Sequence, residues 1–475
     1  MWKRKRHAAP GEVTTVNHPE RETAAGSVPV PRAKPLPETG HARAGSPRNR
    51  LWPTMSLAAF LAGTSGMLVG IAILSVLLLT VAANFRNTYT LLNDKAVHDE
   101  MTGVMESIGT TNCVGFAAPL VLKAREALAR EFGSILPEES AGEGRSLFQS
   151  NLWLGILQAA EDPDLEIISW MREGGPTGGP GSFIRPCGVF PLALAPSSAV
   201  ESSRLYAKLN AHESWNPQRH ENYKSYYVNN GAHAEEEGAR SKEGNFVDII
   251  KDWADVLLQW PRATASKVAL IVKERIDKTL KLRFVVDLRR SGVNGEAEIP
   301  ERVVLPRILD FANSIIDLLE TKTTTDDIEL FVLDFADALY PIWLREKDRG
   351  SLVFKVTGGW AVFNRFCFGM AGAPLVWGRV AASACRVGQA CFTPRELRLQ
   401  CYVDDPAVAV AGSRKERNRL VGMLLLLWSA LGAGLSWGKG ARGTQVPWIG
   451  ASFQMSARTH AGGGSTLFPG VAVSI

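Results

Sequence analysis

The chain has 475 residues, 45% hydrophobic and 21% charged, which excludes a wholly disordered or fibrous protein and leaves room for two or three compact units. A formal net charge of +5 and a pI near 8.8 are compatible with a nucleic-acid partner but too mild to argue for one. The six cysteines form no C-x-x-C pair, and no histidine stands at zinc-ligand spacing from any of them. That excludes the common zinc modules and favours buried thiols in a reducing compartment.

Residues 1–50 are rich in Pro, Gly, Ala and Arg and open with the basic run Lys3, Arg4, Lys5, Arg6. They show no hydrophobic periodicity and read as a disordered tail: a nuclear signal, a nucleic-acid arm or a solvated tail. No charge falls between Arg50 and Arg86, and the stretch from Ser56 to Ala83 is dominated by Leu, Ala, Val, Ile and Gly. About 20 such residues suffice to cross a bilayer as a helix, so residues 51–85 are expected to hold one transmembrane helix. The Lys and Arg excess before the segment puts the N-terminus in the cytoplasm. A buried core helix or a wrongly joined gene model would explain the same stretch, and otherwise the chain is intracellular.

Residues 86–260 read as a mostly helical region of unassigned role. Ala118 to Phe132 is amphipathic, and Phe246 to Trp260 repeats apolar residues at helical spacing. The Gly- and Pro-rich break from Gly174 to Gly181 lacks a following G-K-[ST] and is a plain loop. From about Ala265 strands and helices alternate. Val268 to Val272 and Arg283 to Leu288 form a hairpin, and Pro306 opens an amphipathic helix to about Leu319. Phe331 to Phe335 is a buried-strand run, and Pro374 opens a helix to about Gln389. Leu397 to Val403 and Ala407 to Ala411 flank a tight acidic turn. Ser413 with Glu416 is a capping box for a helix ending near Leu431, before Gly432 and Gly434.

The acidic turn is Tyr402-Val403-Asp404-Asp405. Adjacent carboxylates at a hairpin tip repel each other unless a cation lies between them. Hard cations such as Mg²⁺ take carboxylate oxygens. Asp334, at the end of the strand Val332-Leu333, would lie beside this hairpin in a split β-α-β arrangement and face Asp404 across two metals. Such a pair activates a hydroxyl and stabilises a leaving phosphate.

Here several motifs stand in order. Val332-Leu333-Asp334-Phe335-Ala336-Asp337-Ala338 resembles the first catalytic-aspartate motif of retroelement reverse transcriptases. Phe366 to Met370 through Gly372-Ala373-Pro374 resembles their substrate-pocket motif, and Tyr402 to Asp405 their second catalytic motif. Leu435 to Gly440 and Trp448-Ile449-Gly450 are similar to the two later palm motifs. Arg283, Asp287, Leu288 and Arg289 match the fingers motif. Phe368, an aromatic at the place where that group keeps one, puts the likeness nearest the LTR-retrotransposon type. It covers residues 268–455.

The resemblance implies an α+β fold: fingers over 261–320 and a palm over 321–455 with a split β-α-β, ferredoxin-like sheet. A flexible tail would follow at 456–475. It implies RNA-directed DNA synthesis, with a primer 3′-hydroxyl attacking the α-phosphate of a deoxynucleoside triphosphate on an RNA or DNA template. Asp334, Phe335, Asp404 and Asp405 form the metal set for two Mg²⁺ ions, with Mn²⁺ as the alternative. Lys439 would protonate the pyrophosphate, or else is a surface lysine. Arg283, Lys273, Leu339, Phe368 and Gly369 would meet the nucleotide. Arg289, Tyr402, Val403, Trp448 and Gly450 would meet nucleic acid, although Trp377, Trp428 and Trp448 also read as core. Asp337 is a helix N-cap or a site residue.

Two departures stand out. Leu339 occupies the position where the family carries the aromatic ring that excludes a ribose 2′-hydroxyl, and the ring follows at Tyr340. The few Gly- and Ser-rich residues after Gly450 suggest a chain cut short before a helical thumb. The alternatives are therefore an inactive, retroelement-derived nucleic-acid-binding remnant, or a membrane-anchored protein carrying it through 56–83. No protein partner is inferable.

Overall fold

A computed structural model describes residues 94–110, 112–135, 148–193, 217–228, 246–274, 278, 280–320, 328–459 and 467–474. The basic tail and the apolar stretch from Ser56 to Ala83 lie outside the described residues. No helix among the described residues is long and apolar enough to cross a membrane.

Among the described residues four helices come first: α1 (Lys95–Ser107), α2 (Ala118–Glu131), α3 (Ser150–Ala159) and α4 (Glu166–Glu173). Asp94 caps α1 by accepting the Ala96 N–H at 2.9 Å. After the short α5 (Lys224–Val228) the expectation of one helix from Phe246 to Trp260 is corrected. Strand β1 (Val247–Ile250) forms there, and helix α6 (Trp253–Gln259) starts only beyond it. The β-branched run Val247, Ile249, Ile250 pairs antiparallel with a strand more than a hundred residues away, Val247 opposite Phe363. Tertiary pairing overrides the local period.

The remaining elements are β2 (Ala265–Glu274), β3 (Leu280–Asp287), α7 (Val293–Glu296), α8 (Ile308–Leu319), β4 (Ile328–Val332), β5 (Val353–Val356) and β6 (Gly359–Phe363). They continue with α9 (Ala373–Ala390), β7 (Leu397–Tyr402), β8 (Asp405–Ala411), α10 (Arg414–Ala430), β9 (Ala441–Gly443), β10 (Gln445–Trp448), β11 (Ala451–Thr459) and β12 (Leu467–Ser474). The Ser413–Glu416 capping box closes reciprocally at the start of α10, with Glu416 accepting the Ser413 N–H at 2.8 Å.

The central sheet has the order β7-β8-β4-β9, with β4 antiparallel to both neighbours. In chain order its parts are β4, α9, β7, β8, α10, β9, two interleaved β-α-β units with the first strand in the middle. That is the expected split β-α-β sheet, and it puts the C-terminal end of β4 beside the β7–β8 turn. A second sheet, β1-β6-β5-β2-β3, draws β1 from before residue 260 and β5 and β6 from after 320. The boundaries expected at 260 and 320 therefore do not separate units. The flexible tail expected over 456–475 is likewise corrected. Strand β12 pairs with β11 from Ser452 opposite Ser474 to Thr459 opposite Leu467, extending the β10–β11 hairpin.

The helices before residue 260 are built into the same core as the central sheet. Met101 and Met105 of α1, Leu128, Trp153 and Trp170 share one buried cluster with Phe335, Val408 and Trp428. At Gly422 of α10 a Cβ would come within 2.8 Å of the Met101 terminal methyl, so the two helices pack closely there. Polar ties fix the contact. The fully buried Arg379 of α9 donates to Asp164 at 2.7 Å and to the Arg185 carbonyl at 2.6 Å, with its guanidinium 4.3 Å from the Trp170 ring centroid. Arg386, further along α9, binds Asp162 at 2.8 Å.

Candidate active site

The ladder between β4 and β8 runs from Ile328 opposite Ala411 to Val332 opposite Ala407. Two further backbone bonds carry the same register onward: Leu333 N–H to the Pro406 carbonyl (2.9 Å) and Phe335 N–H to the Asp404 carbonyl (2.8 Å). Asp334 thus stands across from Asp405, between bonded pairs, where antiparallel side chains come closest. The strand ends at Val332, short of the expected Phe335, but its extension brings together the carboxylates that the sequence singled out.

The acidic turn is a two-residue hairpin in which Tyr402 pairs with Asp405 and Val403 and Asp404 form the tip. Val403 has φ 60, the sense that a II′-type turn requires at its first position and that a β-branched residue rarely adopts. Two buried indoles hold the turn. Trp377 of α9 donates to the Val403 carbonyl and Trp448 of β10 to the Asp405 carbonyl, each at 3.0 Å. Neither role was visible in the sequence, because both indoles come from remote elements.

Electrostatics set the state of the carboxylates. Burial, reinforced by the neighbouring Asp404 and Asp334, pushes Asp405 up to about 6, and Lys439 opposes the rise. Asp404 is raised by burial and then by Asp334. The Lys439 ammonium reaches both Asp334 oxygens at 2.7 and 2.8 Å from the short helical turn Trp437–Lys439. As placed, no three His, Cys, Asp or Glu side chains among the described residues converge to hold a metal ion. The chemistry of the donor set nevertheless fits one: three carboxylates, two of them raised by burial and then by neighbouring carboxylates, beside the Lys439 ammonium.

The other expected site residues divide. Phe335 is buried between Trp377 and Trp428, with centroids at 5.9 and 5.0 Å, so it could offer a metal only its backbone carbonyl. Trp448 is corrected from a nucleic-acid contact to a core residue: it is 2% exposed and packs on Phe311 and Phe453. Leu339 is corrected from the nucleotide set. It is buried in the main core at φ 84, while Tyr340 packs edge-on against the exposed Phe368 at 6.0 Å. Asp337 caps no helix, since it lies exposed in a run of turns at φ 51. Tyr402, Val403, Arg289 and Gly450 are exposed. The backbones of Lys273 and Arg283 pair with Lys281 and Ile271 in the β2–β3 hairpin, and their side chains lie outside what is described.

Gly369 shows why its position admits no side chain. Its φ is 107, and a Cβ would meet the Val286 carbonyl of β3 at 2.6 Å. Asn294 clamps the same turn, donating to the Gly369 carbonyl at 2.7 Å and accepting the Ala371 N–H at 2.9 Å. The glycine that the sequence assigned to nucleotide approach is required by contact with the second sheet.

No family model and no curated protein matches the chain. Among solved structures it is similar to a foamy viral protease-reverse transcriptase in complex with double-stranded DNA, at 13% identity and a TM-score of 0.36, over 56% of this chain and 39% of that one. It is also similar to a foamy viral protease-reverse transcriptase in complex with an RNA/DNA hybrid, at 13% identity and a TM-score of 0.36, over 52% of this chain and 28% of that one. The chain thus spans well under half the length of either structure.

Proposed function

We propose that the chain is a reverse-transcriptase-like nucleotidyltransferase of the retroelement type, in which the split β-α-β sheet is the palm and the β1-β6-β5-β2-β3 sheet belongs to the fingers. The observation that carries this reading is the meeting of Asp334 with Asp404 and Asp405 where β4 adjoins the β7–β8 turn. Motifs that stand in order along a sequence need not become neighbours, and the strand register that sets Asp334 opposite Asp405 supports the reading.

In this reading Asp334, Asp404 and Asp405, with the Phe335 carbonyl, hold two Mg²⁺ ions. When bound, these supply the charge that activates a primer hydroxyl and steadies the leaving pyrophosphate. The protein's own part is positioning, which dominates phosphoryl transfer. Trp377 and Trp448 fix the carbonyls on either side of Asp404. Lys439 keeps Asp334 paired with a cation in the metal-free protein, and it can then turn to the pyrophosphate as a proton donor. Tyr402 and Val403, exposed at the tip, face the template–primer, and Phe368 with Tyr340 borders the nucleotide.

The test is primer extension on an RNA template with deoxynucleoside triphosphates and Mg²⁺, using the whole chain because α1 to α4 share the palm's core. Extension that vanishes in Asp404→Asn is the expected result. A parent chain that folds and binds primer–template but adds no nucleotide would overturn the reading.

A further inference from the structure

Alongside the acidic turn, between α9, β7 and the segment 303–305, lies a cavity of about 190 Å³. Its wall is aromatic and aliphatic, formed by Phe190, Val304, Trp377, Ala382 and Leu399, and it reaches the turn itself at Val403. None of the three aspartates belongs to it.

The polar side chains at its rim are engaged within the protein. Gln389 donates to the Leu397 carbonyl and accepts the Leu399 N–H, both at 3.0 Å. Gln400 donates to Ser314 at 3.1 Å, and Arg398 donates to the Pro394 carbonyl at 2.8 Å and pairs with Asp317 at 3.3 Å. The Trp377 indole is committed to the Val403 carbonyl. With these bonds made, the lining offers a polar guest few partners, whereas an apolar guest disturbs none of them. An apolar cavity of about 150 Å³ stays dry and takes benzene, so this one has room for a slightly larger ring system.

We propose that this cavity is a binding site for a small planar apolar molecule, benzene to indole in size, seated against the Val403 turn. The site goes beyond the nucleotidyl-transfer reading and does not depend on it.

Isothermal titration of the full chain with indole tests it. The expected result is saturable binding at one site, with Kd on the order of millimolar or tighter. Ala382→Phe fills the cavity from α9 and Val304→Trp fills it from the opposite wall, and each should weaken indole at least about tenfold. Thermal unfolding identifies which variants remain folded, and either one suffices. No saturable binding to the parent chain, or unchanged affinity in the folded variants, overturns the proposal. Asp404→Asn, outside the wall, should bind indole as the parent does. Failure of primer extension therefore strikes the polymerase reading alone, and failure of indole binding strikes this site alone.

Discussion

The Lys439 ammonium binds both oxygens of the Asp334 carboxylate, at 2.7 and 2.8 Å. One lysine thus occupies the carboxylate face that a divalent ion would need, and in the proposed reading the two cations would compete. Lys439→Met should therefore bind Mg²⁺ more tightly than the parent, by a few-fold in titration calorimetry. It should also extend primers about 10²-fold or more slowly if the ammonium serves as proton donor. Weaker Mg²⁺ binding in the variant would show that Lys439 supports the site rather than competing for it.

Asp404→Asn removes a charge that burial and Asp334 both disfavour. The variant should unfold no earlier than the parent, and slightly later in Mg²⁺-free buffer at pH 8. Extension should fall by at least about 10³-fold, as expected when a group central to charge stabilisation is lost. Paired melting curves and single-turnover extension separate the two effects. A large loss of stability would mean that the carboxylate is structural.

Val403 holds a φ of 60 at the hairpin tip. A left-handed conformation costs an L-residue about 1–2 kcal/mol, while glycine gives back about 0.5–1 kcal/mol through its looser unfolded chain. Val403→Gly should thus raise stability by up to about 1 kcal/mol in urea unfolding. Extension should slow, because a freer tip places Asp404 less firmly. A variant both less stable and equally active would contradict the strain at Val403.

What could be read from the sequence is what is local. The acidic hairpin, the Ser413–Glu416 cap, the β2–β3 hairpin and helix α9 all carry their own turn and cap chemistry, and their order yields the β7-β8-β4-β9 sheet. What escaped reading is set by distant partners. Val247–Ile250 becomes a strand because Gly359–Phe363 lies beside it, and β12 is fixed by β11. Trp448 and Trp377 matter through carbonyls at residues 405 and 403, and Leu339 turns inward although it follows Asp334 by only five residues. Side-chain direction in an irregular turn has no period to reveal it.

Gly369 tests the link between the two sheets. Its positive φ and the 2.6 Å approach of a Cβ to the Val286 carbonyl leave no room for alanine. Gly369→Ala should cost about 2–4 kcal/mol, strain and overpacking together. The urea midpoint reports the loss. The exchange protection of the Ala371 N–H, held by Asn294, should fall with it. Full stability in the variant would mean that the turn can leave β3 freely.

Asp405 ties pH to stability and, in the proposed reading, to metal binding. Burial, then Asp404 and Asp334, raises its folded-state value to about 6, above the roughly 3.9 of an unfolded aspartate. The folded chain therefore holds more protons than the unfolded one between those values. The stability gained from protonating Asp405 is full below about pH 4 and is lost as pH rises through about 6. Asp405→Asn removes this dependence, so in Mg²⁺-free buffer the variant should gain melting temperature over the parent at pH 8 and none at pH 4. Protons and Mg²⁺ compete for the same oxygens, so Mg²⁺ should stabilise the parent at pH 8 far more than at pH 5. Bound Mg²⁺ would hold Asp405 ionised, so the acid limb of extension should lie below about pH 6 and move lower as Mg²⁺ is raised. Melting curves at the two pH values, with and without Mg²⁺, decide it: an Mg²⁺ shift equal at both would mean that the ion does not bind at Asp405.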